Sequence, residues 1–370
     1  MENRNLKNSI KFFGASLDAL DHQEAVSIKR SYLGALLAGK SLPLEFRDPY
    51  DLFRKLMGNS IKEFGHENLG RFIVDSWLTP RPQISDLDLI TAEGYLQFLK
   101  NNGFQVYSSF LKDFVKTHVF PYIPGMIGVD HSLTGGVLMS LSERLGPENM
   151  GLLIFDAHTD AIPLPLRSGL VQYAREMGLP SPGPLLNSEG FDFYTTGNFL
   201  FHLIEKEIIL PKNLIIIGPA DSVESLRDLR DQRVREYVCH YDSLEDRGIK
   251  IISRNRLQRL GPALIQHVLE QLQCSQLYIS LDVDVSAQCG VLATRFIDLV
   301  GTETTLILEA VLQIAEFLSS GRFSLVGLDI MEVDIYKIGA KLESGVEDRT
   351  GEFIQKFISI LLPTLYNKMN

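Results

Sequence analysis

Residues 151–160 read GLLIFDAHTD, an apolar run of five residues followed by aspartate, histidine and aspartate at alternating positions. A short apolar run bounded by polar residues is the pattern of a strand buried on both faces. In an extended chain, residues two apart project to the same side, so Asp156, His158 and Asp160 are expected to line one face at the strand's end. Residues 277–285, LYISLDVDV, repeat the design with Asp282 and Asp284. Two strands thus offer five candidate metal ligands. Charged groups at successive same-face positions of a buried strand carry a large desolvation cost unless cations or other partners offset it.

Further β-rich runs lie at 10–18, 125–130, 213–221, 249–254 and 324–334, and several end in an acid. They alternate with amphipathic stretches, which predicts an α/β fold: a mainly parallel sheet with helices on both faces. Parallel sheets place ligands outside the carboxyl ends of their strands, so the terminal acids predict one shared site. Helices are expected at 304–321, where Gly321 suits the position after the last turn, and at 260–273. Residues 21–118 hold helical material (DPYDLFRKLM, TAEGYLQFLKNNG) without a clear strand and read as a helical insertion. Residues 161–196, rich in proline and glycine directly after the ligand strand, read as a long active-site loop. No linker composition divides the chain, so residues 1–370 are read as a single domain.

The 370 residues carry a formal charge of −10, are 45% hydrophobic and 22% charged, a soluble globular composition that speaks against nonspecific nucleic-acid binding. No run of about eighteen apolar residues predicts a membrane span, and the N-terminus lacks a secretory pattern. Cys239, Cys274 and Cys289 are odd in number and widely spaced, which fits a reducing, cytoplasmic setting.

GVDHS at 128–132 adds His131 after another short apolar run, completing a set of two imidazoles and four carboxylates: His131, Asp156, His158, Asp160, Asp282 and Asp284. Four carboxylates balance two divalent ions, whereas one ion leaves excess negative charge. A carboxylate-dominated set without paired cysteines favours two Mn²⁺, with Mg²⁺ or Fe²⁺ as alternatives. Two ions roughly 3.5 to 4 Å apart can acidify a shared water, so hydrolysis is the expected reaction class.

In this order and spacing, GVDHS, FDAHTD, SLDVDV and GLDIMEVD resemble the four signatures of the ureohydrolase family, the arginases and agmatinases, over most of the chain. The resemblance implies a three-layer α/β/α fold around an eight-stranded sheet and a dinuclear manganese centre. By the same resemblance, His131 and Asp160 hold one ion, His158 and Asp284 the other, and Asp156 and Asp282 bridge. It places Glu332 on the guanidinium group of a small-molecule substrate and makes Asp160 the group that relays a proton to the leaving nitrogen. Assembly into a homo-oligomer is likewise implied.

The chain departs from the family pattern at three places. Val129 stands where a second glycine is usual, and residues 285–296 lack the downstream Asp-Pro. AIPLPLRSG after DAHTD replaces the polar residues with which arginases hold an amino acid's α-groups. The usual proton-shuttle histidine has no counterpart, since His202 and His267 read as helix packing residues and His240 has no motif around it. Two other readings compete with the dinuclear hydrolase of a linear C–N bond in a guanidino, formimino or amide compound. One is a single-zinc deacylase of the same fold, which usually shows an adjacent His-His pair that is absent here. The other is a noncatalytic regulatory relative.

Overall fold

In the computed structural model, which describes residues 6–19, 23–40, 45–63, 65–179 and 192–366, the strands are β1 (Lys7–Ala15), β2 (Glu67–Phe72), β3 (Tyr122–Gly128), β4 (Met150–Phe155), β5 (Leu214–Ile217), β6 (Lys250–Ile252), β7 (Gln276–Asp282) and β8 (Ser324–Met331). They form one sheet in the order β2-β1-β3-β8-β7-β4-β5-β6. Every pairing is parallel. The late strands β7 and β8 insert between β3 and β4. That crossover brings the carboxyl ends of four motif-bearing strands side by side at the centre of the sheet, although their residues are far apart in sequence.

Both faces are covered, and the period-two alternation of the buried strands explains how. Leu153 and Phe155 of β4, with Phe12, Ile279 and Leu281, pack against helices Pro49–Met57, Thr304–Ser319 and Thr350–Tyr366. Leu152 and Ile154, with Phe13, Met126 and Tyr278, pack against helices Gly103–Phe114, Thr134–Leu145 and Gln232–Asp246. Each fully buried Leu, Ile or Phe contributes about 1.5–3 kcal/mol of apolar transfer, so these two layers hold the strand ends in register. Tyr278 lies over Gly327 of β8, where an added Cβ would stand 2.5 Å from the ring. The glycine thereby sets the position of the Tyr278 hydroxyl, which donates to Asp329 Oδ2.

Four expectations are corrected. The insertion contains β2, an edge strand whose half-exposed sequence ENLGRF lacks an apolar run; edge strands need only one pairing side. The helix expected at 260–273 is two, Arg254–Leu260 and Ala263–Glu270, because Gly261 turns left-handed (φ +73°) and Pro262 starts afresh. The first half of the long loop is a helix, Leu164–Glu176, while its residues 180–191 lie outside the described residues. Both ligand strands stop early: β4 ends at Phe155, and β7 gives way after Asp282 to a 3-10 turn, Val283–Ser286. Among the described residues no helix is long and apolar enough to cross a membrane.

Candidate metal centre

Because β4 ends at Phe155, Asp156, His158 and Asp160 are gathered by a turn rather than by strand alternation. Asp156 Oδ1 accepts the His158 N–H at 2.7 Å, an Asx turn, and Asp160 adopts the left-handed φ of +48°. Asp282 does the same at the end of β7, accepting the Asp284 N–H on Oδ1 at 2.9 Å. Asp284 spends Oδ1 on the Ala157 N–H at 3.0 Å. In each case one oxygen fixes the backbone and the other faces inward. Asp130 of GVDHS also caps its turn with Oδ1, but its Oδ2 accepts from Arg295 Nη1 at 3.0 Å. That ion pair explains why Asp130 is absent from the ligand set.

The inward oxygens converge on two imidazoles. His131 Nδ1 lies 3.2 Å from Asp156 Oδ2, 3.2 Å from Asp282 Oδ2 and 3.5 Å from Asp160 Oδ2. His158 Nδ1 lies 2.9 Å from Asp284 Oδ2 and 3.6 Å from Asp156 Oδ1. Two groups result, His131 with Asp156 and Asp282, and His158 with Asp156 and Asp284, each with its ligand atoms within 4.8 Å of one another. Asp156 is common to both. The geometry therefore gives Asp156 the shared position, while Asp282 joins the His131 group and Asp160 stands beside it.

The hydrogen bonds behind His131 test whether a cation fits. Ser280 donates its one hydroxyl proton to Asp329 Oδ1 at 2.6 Å. Toward His131 Nε2, 2.8 Å away, it must therefore accept. Neutral His131 consequently carries its proton on Nε2 and turns the Nδ1 lone pair toward three carboxylates. That arrangement is repulsive by itself, and positive charge between the groups, a proton on Nδ1 or a metal ion, makes each contact attractive. His131 Nδ1, Asp156 Oδ2 and Asp284 Oδ2 are buried without a hydrogen-bond partner, a state costing about 1–3 kcal/mol per group when nothing engages it. The donor set fits a pair of divalent ions.

The electrostatics agree in direction. Burial disfavours the His131 imidazolium, yet Asp156, Asp160 and Asp282 outweigh it and pull its pKa well above the ordinary histidine value. His158 is raised likewise, burial being outweighed by Asp284 and Asp156. Burial, reinforced by Asp284 and Asp156, drives Asp282 far above the usual carboxylate range. The site attracts positive charge strongly.

Glu332 follows β8 with a left-handed φ of +63°, unusual for a side chain of this size. Its Oε1 accepts from the His131 N–H at 3.2 Å and the Thr196 hydroxyl at 2.9 Å. Its Oε2 is buried with no hydrogen-bond partner.

A model of the arginase family matches residues 84–336, well over half of the 370-residue chain. The chain belongs to the arginase family. Membership implies a metal-dependent hydrolase of guanidino or amidino C–N bonds. Solved structures share the fold at low identity. Proclavaminate amidino hydrolase from Streptomyces clavuligerus is 16% identical with a TM-score of 0.56, covering 99% of this chain and 94% of that one. Formimidoylglutamase from Bacillus subtilis subsp. subtilis str. 168 is 18% identical with a TM-score of 0.54, covering 99% and 89%. Arginase from Bacillus subtilis is 18% identical with a TM-score of 0.54, covering 96% and 98%. No curated protein gives a significant sequence match.

This arginase-family site uses several residues that sequence reading passed over. Asp329 accepts from Ser280, Tyr278 and Thr134, all at 2.6 Å, so a buried carboxylate orients His131 through a serine. Ser280 and Tyr278 share a strand face with Asp282, the one signal that could have found them. Asp221 accepts both the N–H and the hydroxyl of Thr159, fixing the loop between His158 and Asp160. Asp298 Oδ1 stands 3.5 Å from His158 Nε2, and Phe296 packs edge-on to the same ring. His202 lies 3.7 Å from Asp192, His240 bonds the Ala161 carbonyl, and His267 contacts Gln271; none joins either ligand group.

Ser280→Ala removes the acceptor that sets the His131 tautomer. Outer partners of metal-bound histidines are typically worth 10- to 100-fold in affinity. Ser280→Ala is therefore expected to weaken Mn²⁺ binding by about that factor in a competitive chelator titration, with the far-UV spectrum unchanged.

Proposed function

We propose that this protein is a dinuclear manganese-dependent hydrolase that converts a linear guanidino compound and water into urea and an amine. The observation carrying this reading is the pair of carboxylate and imidazole groups joined at Asp156, whose inward atoms have no other partner. His131, Asp156, Asp160 and Asp282 would hold one ion, and Asp156, His158 and Asp284 the other. Four carboxylates, two imidazoles and no thiolate suit Mn²⁺. When bound, the ion pair supplies Lewis acidity and a nucleophile from water near neutral pH.

The chain's own residues supply the rest. Glu332, held on Oε1 by His131 and Thr196, offers Oε2 to the planar guanidinium and orients its carbon for attack. Burial sharpens that interaction because little water competes for the cation. Asp160, beside His131 at the edge of the group, accepts the proton released from the attacking water. It then delivers the proton to the leaving nitrogen, so the C–N bond breaks to a neutral amine rather than an amide anion.

Release of urea and ammonia from a panel of guanidino and formimino compounds, with added Mn²⁺, tests the reading. Equal amounts of urea and amine, with two Mn²⁺ per chain, are expected. Ammonia without urea would reassign the substrate to the formimino class. A single tightly held Zn²⁺, or no release from any compound, would defeat the proposal.

A further inference from the structure

Arg167 lies in AIPLPLRSG, the stretch where the polar residues that hold an amino acid's α-groups are missing. It sits on the helix Leu164–Glu176 and is half-buried. Its Nη1 donates to the Gly197 carbonyl at 2.7 Å. Residue 197 has to be glycine for this, since a Cβ there would stand 1.5 Å from the same nitrogen. The neighbouring residue, Thr196, donates to Glu332 Oε1. Adjacent Cα atoms are about 3.8 Å apart, so the guanidinium of Arg167 and the carboxylate of Glu332 are separated by no more than the length of a short linear molecule.

Two other acids of the site feel the charge of the same guanidinium. Burial raises the carboxyl pKa of Asp221, and the charges of His158 and Arg167, with the Thr159 bonds, oppose it. Asp298 also feels Arg167, besides burial and its contact with His158. Both acids have other partners, Thr159 for Asp221 and His158 for Asp298. Among the described residues no carboxylate comes within 4.0 Å of Arg167, and Gly197 is its one hydrogen-bond acceptor. An arginine fork with donors to spare, at the rim of a site whose other end is an acid, matches a planar anion.

We propose, resting on the hydrolase reading above, that Arg167 binds a carboxylate at the far end of the substrate, so the preferred substrates are short guanidino acids. Glu332 takes the cationic head and Arg167 the anionic tail, with a few methylene groups between them. A guanidine whose tail is an amine meets the Arg167 charge as repulsion, and one with a neutral amide tail gains no ion pair.

The test compares kcat/KM for 4-guanidinobutanoate, its amide, and agmatine in the Mn²⁺-loaded protein, together with calorimetric binding of butanoate. Wild type is expected to prefer the acid over the amide by roughly 10- to 100-fold, the range of a charge-assisted hydrogen-bond pair. Arg167→Ala is expected to erase that ratio mainly through KM and to abolish butanoate binding, Arg167→Lys to restore part of both, and Arg167→Glu to shift preference toward agmatine. A wild-type preference for the amide or agmatine would overturn the proposal, as would an acid-to-amide ratio unmoved in Arg167→Ala while both rates fall together, the mark of a brace for Gly197. Butanoate binding lost in Arg167→Ala but no guanidine hydrolysed would support the anion site and defeat the reaction assigned to it. Neither binding nor hydrolysis would overturn both.

Discussion

Asp156→Asn is expected to give a protein that melts higher than wild type when metal-free and no longer binds two ions. In wild type the carboxylates of Asp156, Asp160, Asp282 and Asp284 crowd around His131 and His158, and Asp156 Oδ2 has no hydrogen-bond partner. Asparagine keeps the Oδ1 that accepts the His158 N–H. It replaces the inward oxygen with an uncharged amide, which relieves the repulsion that Asp156 exerts on Asp160 and Asp282. Removing one buried charge from that crowd is worth about 1–3 kcal/mol in the metal-free state, enough to raise Tm by a few degrees. The same change takes a charged ligand from both groups at once, because Asp156 belongs to each. Wild type should gain Tm steadily with Mn²⁺, as any ligand that binds only the folded state requires. The variant should gain almost nothing, and its metal content should fall from two ions to one or none. A variant that melts lower without metal and still carries two ions would show that Asp156 is a structural acid.

This trade between function and stability separates what could be read from the chain from what could not. The apolar runs before Asp156 and Asp282 are one-dimensional signals. A strand buried on both faces must be continuously apolar, and β4 and β7 therefore announce themselves. β2 does not, since its exposed side places no such demand on ENLGRF. The acids were legible as a group because unbalanced charge beside a buried strand calls for a cation. Their convergence was read for the wrong local reason. Alternation along a strand would spread Asp156, His158 and Asp160 in a row, whereas the Asx turn at Asp156 and the left-handed Asp160 fold them back toward His131. What positions them was out of reach for another reason. The bonds from Ser280 to Asp329, Thr159 to Asp221 and Arg295 to Asp130 each join residues distant in sequence. The strand order, with β7 and β8 inserted beside β3, decides those meetings.

Glu332 shows the consequence of that insertion for catalysis, and Glu332→Gln is expected to lower kcat/KM by about 10³-fold while leaving both metal ions in place. The side chain belongs to neither ligand group, so its replacement leaves the charge balance of the cations untouched. Glutamine is nearly isosteric and can keep the acceptor bonded by the His131 N–H and the Thr196 hydroxyl. Its amide nitrogen then takes the place of Oε2, turning a donor toward a substrate that itself presents only donors. Leaving a buried cation without its counter-charge costs about 3–5 kcal/mol, or roughly two to four powers of ten in rate at 1.36 kcal/mol each. The left-handed backbone at Glu332 argues for the same assignment. Strain of about 1–3 kcal/mol at a bulky residue persists where the surrounding structure holds it, and here the backbone bonds to Val129 and Arg295 do so. They aim one carboxylate at the site from the end of β8. Parallel measurement of metal content and of kcat/KM in the variant decides the matter: a large kinetic loss with two ions retained assigns Glu332 to the substrate. Loss of metal, or full turnover, would return it to the structural residues of the strand end.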